Sequence, residues 1–134
     1  MNSPILHHVS LVTTRLEQSV AFYRDILGFR QIQRPAFKSV GAWLARGSVE
    51  IHLIANPQGT FRKSPLIDTG DAHFALRVEN FEAAVSELAA KGYREDAPED
   101  DAKKLVFRRR GPAGYPQAYL RDPDFNLIEI NAAS

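Results

Sequence analysis

The chain has 134 residues, which is room for one domain or for two very small fused modules. Its composition, 44% hydrophobic and 25% charged, is typical of a globular protein, and the absence of cysteine excludes disulfides, iron–sulfur clusters, thiolate metal sites and a cysteine nucleophile. A net charge of +1 gives no field that would attract nucleic acid or an acidic membrane, and the longest uncharged stretch, residues 1–14, cannot span a bilayer. We therefore expect a cytoplasmic protein without nucleic-acid or membrane partners.

The first half of the chain predicts a strand, a helix and three further strands. Residues 6–12 alternate between polar and apolar side chains, as a half-buried strand does, and a face with helical spacing follows. That face consists of Leu16, Ser19, Val20, Tyr23, Ile26 and Leu27. Gly28 stands where a helix end favours a residue that tolerates a positive φ. Strands are then predicted at about 29–34, 39–46 and 49–54.

The second half predicts the same order of elements. The predicted elements are a strand at 72–78, a helix at 80–91 and strands near 105–109, 116–121 and 126–131. The segment between the two halves, residues 57–70, contains two prolines and two glycines, which is typical of a linking loop.

The two halves are also similar in sequence. Residues 8–29 align with residues 73–93 after one deletion, and shorter matches extend the alignment through the later strands. The matched pairs used below are His8 with His73, Trp43 with Tyr119, and His52 with Glu129. We therefore predict an α+β fold in which two tandem βαβββ modules, about 4–56 and 71–132, form a single domain of residues 1–134. A pseudo-twofold axis would relate the modules, and each would curl a four-stranded sheet around a shared U-shaped cleft, forming an incomplete barrel.

Alternation along the strands predicts which side chains face away from the helices. In the strand that opens the second half, apolar side chains alternate with His73 and Arg77, so His73 faces the cleft. The same argument for the first and last strands of each half places four polar side chains there: His8, His52, His73 and Glu129. Three imidazoles and a carboxylate suit a divalent first-row metal such as Zn, Ni, Mn, Co or Fe. Glu50 shares a face with His52 and is the alternative second ligand, but the repeat pairs His52 with Glu129.

Three further side chains are candidates for contact with a substrate. Arg77 shares the face of His73, where a cation is costly unless an anion meets it. Trp43 and Tyr119 are repeat-equivalent aromatic residues that either pack in the core or wall an apolar substrate pocket. The basic residues within 103–110 follow an acidic stretch, so we expect an exposed loop that neutralises itself.

The same residues carry a resemblance to a known family. The motifs are His8-Val9-x-Leu11, Leu16-x-x-Ser19-x-x-Phe22-Tyr23, Leu27-Gly28-Phe29, His73, and Asp122-Pro123-Asp124-x-Asn126-x-Ile128-Glu129. In these motifs the chain resembles the vicinal-oxygen-chelate superfamily, the group of glyoxalase I, fosfomycin-resistance thiol transferases, methylmalonyl-CoA epimerase, extradiol dioxygenases and bleomycin-resistance proteins. The resemblance implies paired βαβββ modules, a divalent metal in a U-shaped cleft and a homodimer.

Among these groups the chain resembles glyoxalase I most. This implies a metal-dependent lyase or isomerase acting on a small substrate with two adjacent oxygens, such as a thiol hemithioacetal. In such a site the metal stabilises a developing enolate as a Lewis acid, and Glu129 is the general base. Glyoxalase I usually has glutamate at the position of His52.

The use of glutathione stays open. Asn56 matches an asparagine that holds glutathione in bacterial glyoxalase I, but Val12 stands where the family has the accompanying arginine. The resemblance also leaves open an extradiol dioxygenase, an epimerase, a thiol transferase, or a non-catalytic dimer that binds a small molecule.

Overall fold

The chain forms two compact units, each built around its own mixed sheet. A computed structural model describes residues 2–133. Unit 1 ends at Phe61 and unit 2 begins at Arg62, a division that falls inside the predicted linking segment. Each unit has one open four-stranded sheet with a helix between its first and second strands, which confirms the predicted α+β fold of two tandem βαβββ modules. In the described part of the chain, no helix is long and apolar enough to cross a membrane.

Unit 1 follows the predicted element order. Its elements are β1 (His8–Thr13), α1 (Leu16–Ala21), a π-helical segment (Phe22–Ile26), β2 (Arg30–Ile32), β3 (Gly41–Arg46) and β4 (Val49–Ala55). The strands lie in the order β1-β4-β3-β2, with β1 parallel to β4 and the other pairs antiparallel. The core contains Tyr23, Leu44, Ile51 and Leu53, all fully buried, so every second residue of β4 packs inward as the alternation predicts.

The helix of unit 1 differs from the predicted one in its second half. The sequence favours one helical face through Leu27, whereas the chain widens into π-helical turns after Ala21. The backbone nitrogen of Leu27 donates to the carbonyl of Phe22, a bond that spans five residues. The segment ends at Ile26, and Gly28 follows with a φ of 73°, which confirms the expected left-handed residue after the helix.

Unit 2 repeats the topology of unit 1. Its elements are β5 (His73–Arg77), α2 (Phe81–Ala90), β6 (Val106–Arg108), β7 (Gln117–Arg121) and β8 (Leu127–Asn131). The strands lie in the order β5-β8-β7-β6, and β5 is parallel to β8. The helix begins after Asn80, whose side-chain oxygen accepts a hydrogen bond from the backbone nitrogen of Ala83 at 2.9 Å.

The prediction that the loop before β6 is exposed is wrong for Lys104. This side chain is 8% exposed, and its Nζ donates to the carbonyls of Glu95 at 2.8 Å and Ala97 at 3.0 Å. It also forms an ion pair with Glu99. Because one ammonium group satisfies two loop carbonyls, the segment folds around a buried charge.

A tight turn joins β7 to β8 and fixes where β8 starts. The Asp122 carboxylate accepts hydrogen bonds from the backbone nitrogens of Asp124 and Asn126, each at 2.9 Å, and from the Asn126 side-chain amide at 2.8 Å. The Asp-Pro-Asp-x-Asn motif is therefore a structural turn. It determines which residues of β8 face the open side of the sheet.

Candidate functional site

The strand pairings place equivalent residues at equivalent positions in the two units. In unit 1, His52 on β4 lies between Ser10 on β1 and Trp43 on β3. In unit 2, Glu129 on β8 lies between Ala75 on β5 and Tyr119 on β7. The registers therefore agree with the alignment that pairs His52 with Glu129 and Trp43 with Tyr119.

Glu129 is a nearly buried carboxylate surrounded by hydrogen-bond donors. It is 4% exposed, and its Oε1 accepts a hydrogen bond from the Asn131 side-chain amide at 2.6 Å. Burial raises the pKa of the Glu129 carboxyl, but hydrogen bonds from Asn131, Gln117 and Tyr119 outweigh burial and bring that pKa below its usual range. The carboxylate is therefore ionised at neutral pH although it is out of contact with bulk water.

Tyr119 remains protonated and acts as one of these donors. Burial raises the pKa of the Tyr119 hydroxyl, and the charge of Glu129 raises it further. The Gln117 side-chain amide donates to the Tyr119 oxygen at 2.9 Å, which orients the hydroxyl. The Tyr119 ring lies edge-on to the His73 ring, with 5.7 Å between the centroids.

His73 points its Nε2 atom at Glu129. Its Nδ1 lies 2.7 Å from the carbonyl oxygen of Asp71, and a carbonyl only accepts, so Nδ1 carries the proton. In the neutral ring, Nε2 is then an acceptor, and it lies 3.2 Å from the Oε2 atom of Glu129. Two acceptors at this distance need a cation between them, either a proton or a metal ion. The pair therefore fits two ligands of a divalent metal, with the backbone orienting the imidazole.

The corresponding site in unit 1 is a stack of three rings. His52, which is 7% exposed, lies between Trp43, with 3.9 Å between centroids and 5° between planes, and His8, at 4.0 Å and 13°. His52 Nε2 lies 2.8 Å from the Oε2 atom of Glu50. This hydrogen bond lowers the pKa of the Glu50 carboxyl, and the neighbouring histidines lower it further. The two residues predicted as alternatives for the second metal ligand, Glu50 and His52, are thus hydrogen-bonded to each other.

This stack is a less direct fit to a metal. The electron pairs of an imidazole lie in its ring plane, and a metal–nitrogen bond is about 2.0–2.1 Å long. Two parallel rings 4.0 Å apart therefore cannot both bind one ion until one of them turns. Within either unit, the described residues contain no group of three His, Asp or Glu side chains arranged for a metal.

Strand alternation, if extended to His7, predicts a side chain on the helix side, whereas His7 lies beside His8 and His52. It precedes β1, so strand alternation does not govern it. Its Nδ1 lies 2.9 Å from that of His8, and its ring contacts that of His52 edge-on at 6.3 Å. His7 is therefore a neighbour of the ring stack.

The predicted substrate-binding residues occupy different settings. Trp43 and Tyr119 each contact a predicted metal ligand of their own unit. Arg77 lies on the face of Glu129, and its Nε donates to the Asn131 side-chain oxygen at 2.9 Å. The side-chain oxygen of Asn56 accepts from the backbone nitrogen of Gln58 at 3.0 Å and supports the turn after β4.

Two residues of this face have no role in the sequence-based interpretation. Asn131 is placed on the face of Glu129 by strand alternation, but nothing in the sequence shows that its amide bonds the carboxylate. Gln117 lies on a middle strand whose orientation depends on the pairing of β7 with β8. The only sequence signal for Gln117 is its spacing of two residues from Tyr119.

Comparison with known proteins assigns the chain to a family. Residues 5–130 match the model of the Glyoxalase/Bleomycin resistance protein/Dioxygenase superfamily. The chain belongs to this superfamily. The match spans both units and includes the four candidate metal ligands.

Individual members are similar at moderate identity. A protein named Glyoxylase I 4 from Arabidopsis thaliana is 31% identical over 127 residues, which cover 93% of this chain and 68% of that protein. A manganese-dependent 2,3-dihydroxybiphenyl 1,2-dioxygenase from Geobacillus genomosp. 3 is 31% identical over 113 residues, covering 81% of this chain but only 34% of the dioxygenase. A bleomycin-binding protein solved with bleomycin has the same fold, with a TM-score of 0.70, 20% identity and coverage of 98% of this chain and all of that one.

Proposed function

We propose that the chain is a metal-dependent lyase or isomerase of the glyoxalase I type. Its substrate would be a small molecule with two adjacent oxygens, such as a thiol hemithioacetal. The observation that carries the proposal is the pair formed by His73 and Glu129, in which an imidazole anchored through Nδ1 points its Nε2 atom at the carboxylate. The similarity to Glyoxylase I 4 supports the reaction type.

The metal ligands in this proposal are those predicted from the sequence: His8, His52, His73 and Glu129. The ion would be Zn, Ni, Mn, Co or Fe, and the manganese-dependent relative supports a divalent metal. When bound, the ion would supply Lewis-acid stabilisation of negative charge on the substrate oxygens. The unit 2 pair fits this role as it stands, whereas the His8 ring must turn out of its stack with His52.

The protein's own residues divide the remaining work. Asn131 holds one carboxylate oxygen of Glu129, so the other, Oε2, is the atom proposed to accept a proton from a substrate carbon. Tyr119 and Trp43 would wall the site with their rings. Asn56 would offer its side-chain nitrogen, because its oxygen is occupied by Gln58.

A second candidate is a dioxygenase-type reaction. The dioxygenase relative supports it, and the His73–Glu129 pair matches two members of a two-histidine, one-carboxylate metal site. An epimerase, a thiol transferase or a non-catalytic binding protein would use the same face without this oxidative chemistry. The identity of the bound metal separates the dioxygenase from the glyoxalase type.

Elemental analysis of protein purified without chelators or a histidine tag tests the proposal. We expect about one divalent metal per chain, with loss of most of it in His73→Ala and retention in His7→Ala, the matched control. Turnover of the hemithioacetal of methylglyoxal and glutathione should disappear in Glu129→Gln. Iron would favour the dioxygenase type. Wild-type protein that binds none of the five metals after loading would overturn the metalloenzyme proposal.

A further inference from the structure

A row of hydrogen-bond donors crosses the sheet of unit 2 beside Glu129. We call it the donor row, and it consists of Arg77 on β5, Asn131 on β8, Gln117 on β7 and Arg108 on β6. Each is the register partner of the next. With neighbouring strands about 4.8 Å apart, the row is about 14 Å wide. The adjacent row contains Glu129 and Tyr119, so the donors run alongside the proposed catalytic carboxylate.

The charges on this face are unbalanced. Along the four strands, the residues that share the face of Glu129 include arginines at 77, 108 and 121, and Glu129 is their sole carboxylate. Asn131 lies between Glu129 and Arg77 and bonds both, so the Arg77 guanidinium is separated from that carboxylate by an amide. The donor row itself contains two guanidinium groups and two amides.

Arg77 is held in place without being neutralised. Its Nε donates to Asn131 at 2.9 Å, and its Cζ lies 4.7 Å over the ring of Tyr115. Both contacts leave the two terminal nitrogens free to form a fork of hydrogen bonds. Among residues 2–133, no carboxylate forms an ion pair with Arg77. A fixed guanidinium with a free fork matches the geometry of a carboxylate or phosphate group.

Arg108, at the other end of the row, is similarly without an acidic partner in the described chain. Its Nη2 donates to the hydroxyl of Thr69 at 2.7 Å, and the side chain is exposed. A neutral hydroxyl orients the guanidinium but leaves its charge uncompensated. Both ends of the donor row therefore carry positive charge that the protein does not offset locally.

Two neighbouring arginines show the contrast. Arg109 forms an ion pair with Glu82 on α2 at 2.5 Å. Arg121 is 4% exposed, donates to the carbonyl of Asp101 at 2.5 Å and is close to the carboxylates of the loop before β6. Glu82 neutralises Arg109, whereas Arg121 is buried beside the acidic loop and leaves its Nε and Nη1 atoms without a hydrogen-bond partner. Arg77 in the donor row differs from Arg121 in that its free nitrogens are not buried, so a ligand can reach them.

We propose that the donor row binds an oxyanion of the substrate, a carboxylate or a phosphate, with Arg77 as its main contact. The substrate class is thus an acidic small molecule whose anionic group lies a few bonds from its two adjacent oxygens. The inference rests on the proposed function only in placing the reacting end of the substrate at Glu129. The row would orient the substrate through two charge-assisted hydrogen bonds from one guanidinium group. Glu129 would then accept the proton from the reacting carbon of the substrate.

Titration of metal-free protein with simple probes tests the row. Glutarate, its neutral diamide glutaramide and inorganic phosphate are added while NMR follows the arginine Nε–H and asparagine side-chain signals. We expect an oxyanion probe to bind with millimolar affinity and Arg77→Gln to weaken that binding about tenfold or more, since hydrogen bonds to charged groups are strong. Arg109→Gln is the matched control and should bind like wild type. Tighter binding of glutarate assigns a carboxylate, and tighter binding of phosphate assigns a phosphate.

Three results would overturn the inference: no oxyanion binding, equal binding of glutaramide, or equal weakening by Arg77→Gln and Arg109→Gln. Circular dichroism verifies that each variant is folded, and Arg108→Gln provides a second variant, expected to weaken binding less than Arg77→Gln. Metal analysis of the same samples separates the two proposals. Protein that binds an oxyanion through Arg77 but no metal supports the donor row and contradicts the proposed reaction. Protein that binds metal but no oxyanion does the reverse.

Discussion

The Nε2 atom of His73 lies 3.2 Å from the Oε2 atom of Glu129, although 56 positions separate the two residues in the chain. Parallel pairing of β5 with β8 brings them together, and the bond from His73 Nδ1 to the Asp71 carbonyl fixes which nitrogen faces the carboxylate. The orientation of a candidate metal ligand is thus set by backbone geometry.

Glu129 should make the stability of the fold depend on pH. Burial raises the pKa of its carboxyl, but hydrogen bonds from Asn131, Gln117 and Tyr119 outweigh burial, so the folded pKa lies below the ordinary value of 4.5. The stabilisation is therefore complete above the unfolded pKa and is lost as the pH falls through the folded pKa. Urea unfolding of metal-free protein between about pH 3 and pH 6 measures this loss, and Glu129→Gln should remove this part of the pH dependence. Equal slopes in the two proteins would contradict the prediction.

Trp43, the single tryptophan, should report on the ring stack of unit 1. Its indole lies parallel to His52 at 3.9 Å, so His52→Ala should expose that face to water and shift the fluorescence emission to longer wavelength. His7→Ala is the control, because His7 contacts His8 and His52 but has no ring contact with Trp43. An unchanged spectrum in His52→Ala would show that the stack does not form in solution.

Replacement of Lys104 by alanine should destabilise unit 2 far more than the same replacement of Lys103. Lys104→Ala leaves the carbonyls of Glu95 and Ala97 without their donor, and we expect a loss of about 3 kcal/mol in the free energy of unfolding. Lys103→Ala removes only an ammonium group that lies 4.3 Å over the ring of Tyr93, so it should lower the free energy of unfolding by about 0.5–1 kcal/mol. Chemical denaturation of both variants compares the two losses, and similar values would mean that the loop does not depend on Lys104.

Gly28 should tolerate alanine less well than Gly47. Both glycines have positive φ, 73° and 59°, so alanine costs about 1–2 kcal/mol at either position. At Gly28 the added Cβ would also lie 3.3 Å from the Arg46 Nη1 atom, which donates to the Leu27 carbonyl at 2.5 Å. Nothing lies within 4 Å of a Cβ at Gly47. Thermal unfolding should therefore show the larger decrease in Tm for Gly28→Ala, and the opposite order would remove the role given to Arg46.

The sequence predicts the strands well because their signals are local. Period-two alternation places Ile51 and Leu53 of β4 in the core, and it places Glu129 of β8 on the face of its own sheet that points away from the helix. The internal repeat pairs Glu129 with His52, and the strand registers give the same pairing. The predicted positive φ of Gly28 after the first helix is also confirmed, because this prediction depends only on the local backbone conformation.

Other features could not be predicted because they depend on contacts distant in sequence. The π-helical turns after Ala21 are not encoded in a hydrophobic period, since both helix types bury similar faces. The burial of Lys104 follows from loop carbonyls that only the folded chain brings together. The parallel stacking of His8 on His52 depends on the side-chain rotamers, which strand alternation does not predict.

The turn held by Asp122 also constrains how members of this family can diverge. Because side chains alternate along β8, one inserted or deleted residue between β7 and β8 would send Glu129 and Asn131 into the hydrophobic interior and bring Ile128 and Ile130 out. A homologue whose turn differs in length by a single residue would therefore lose the carboxylate and its amide partner in one event. This short turn should therefore vary little in length among related sequences.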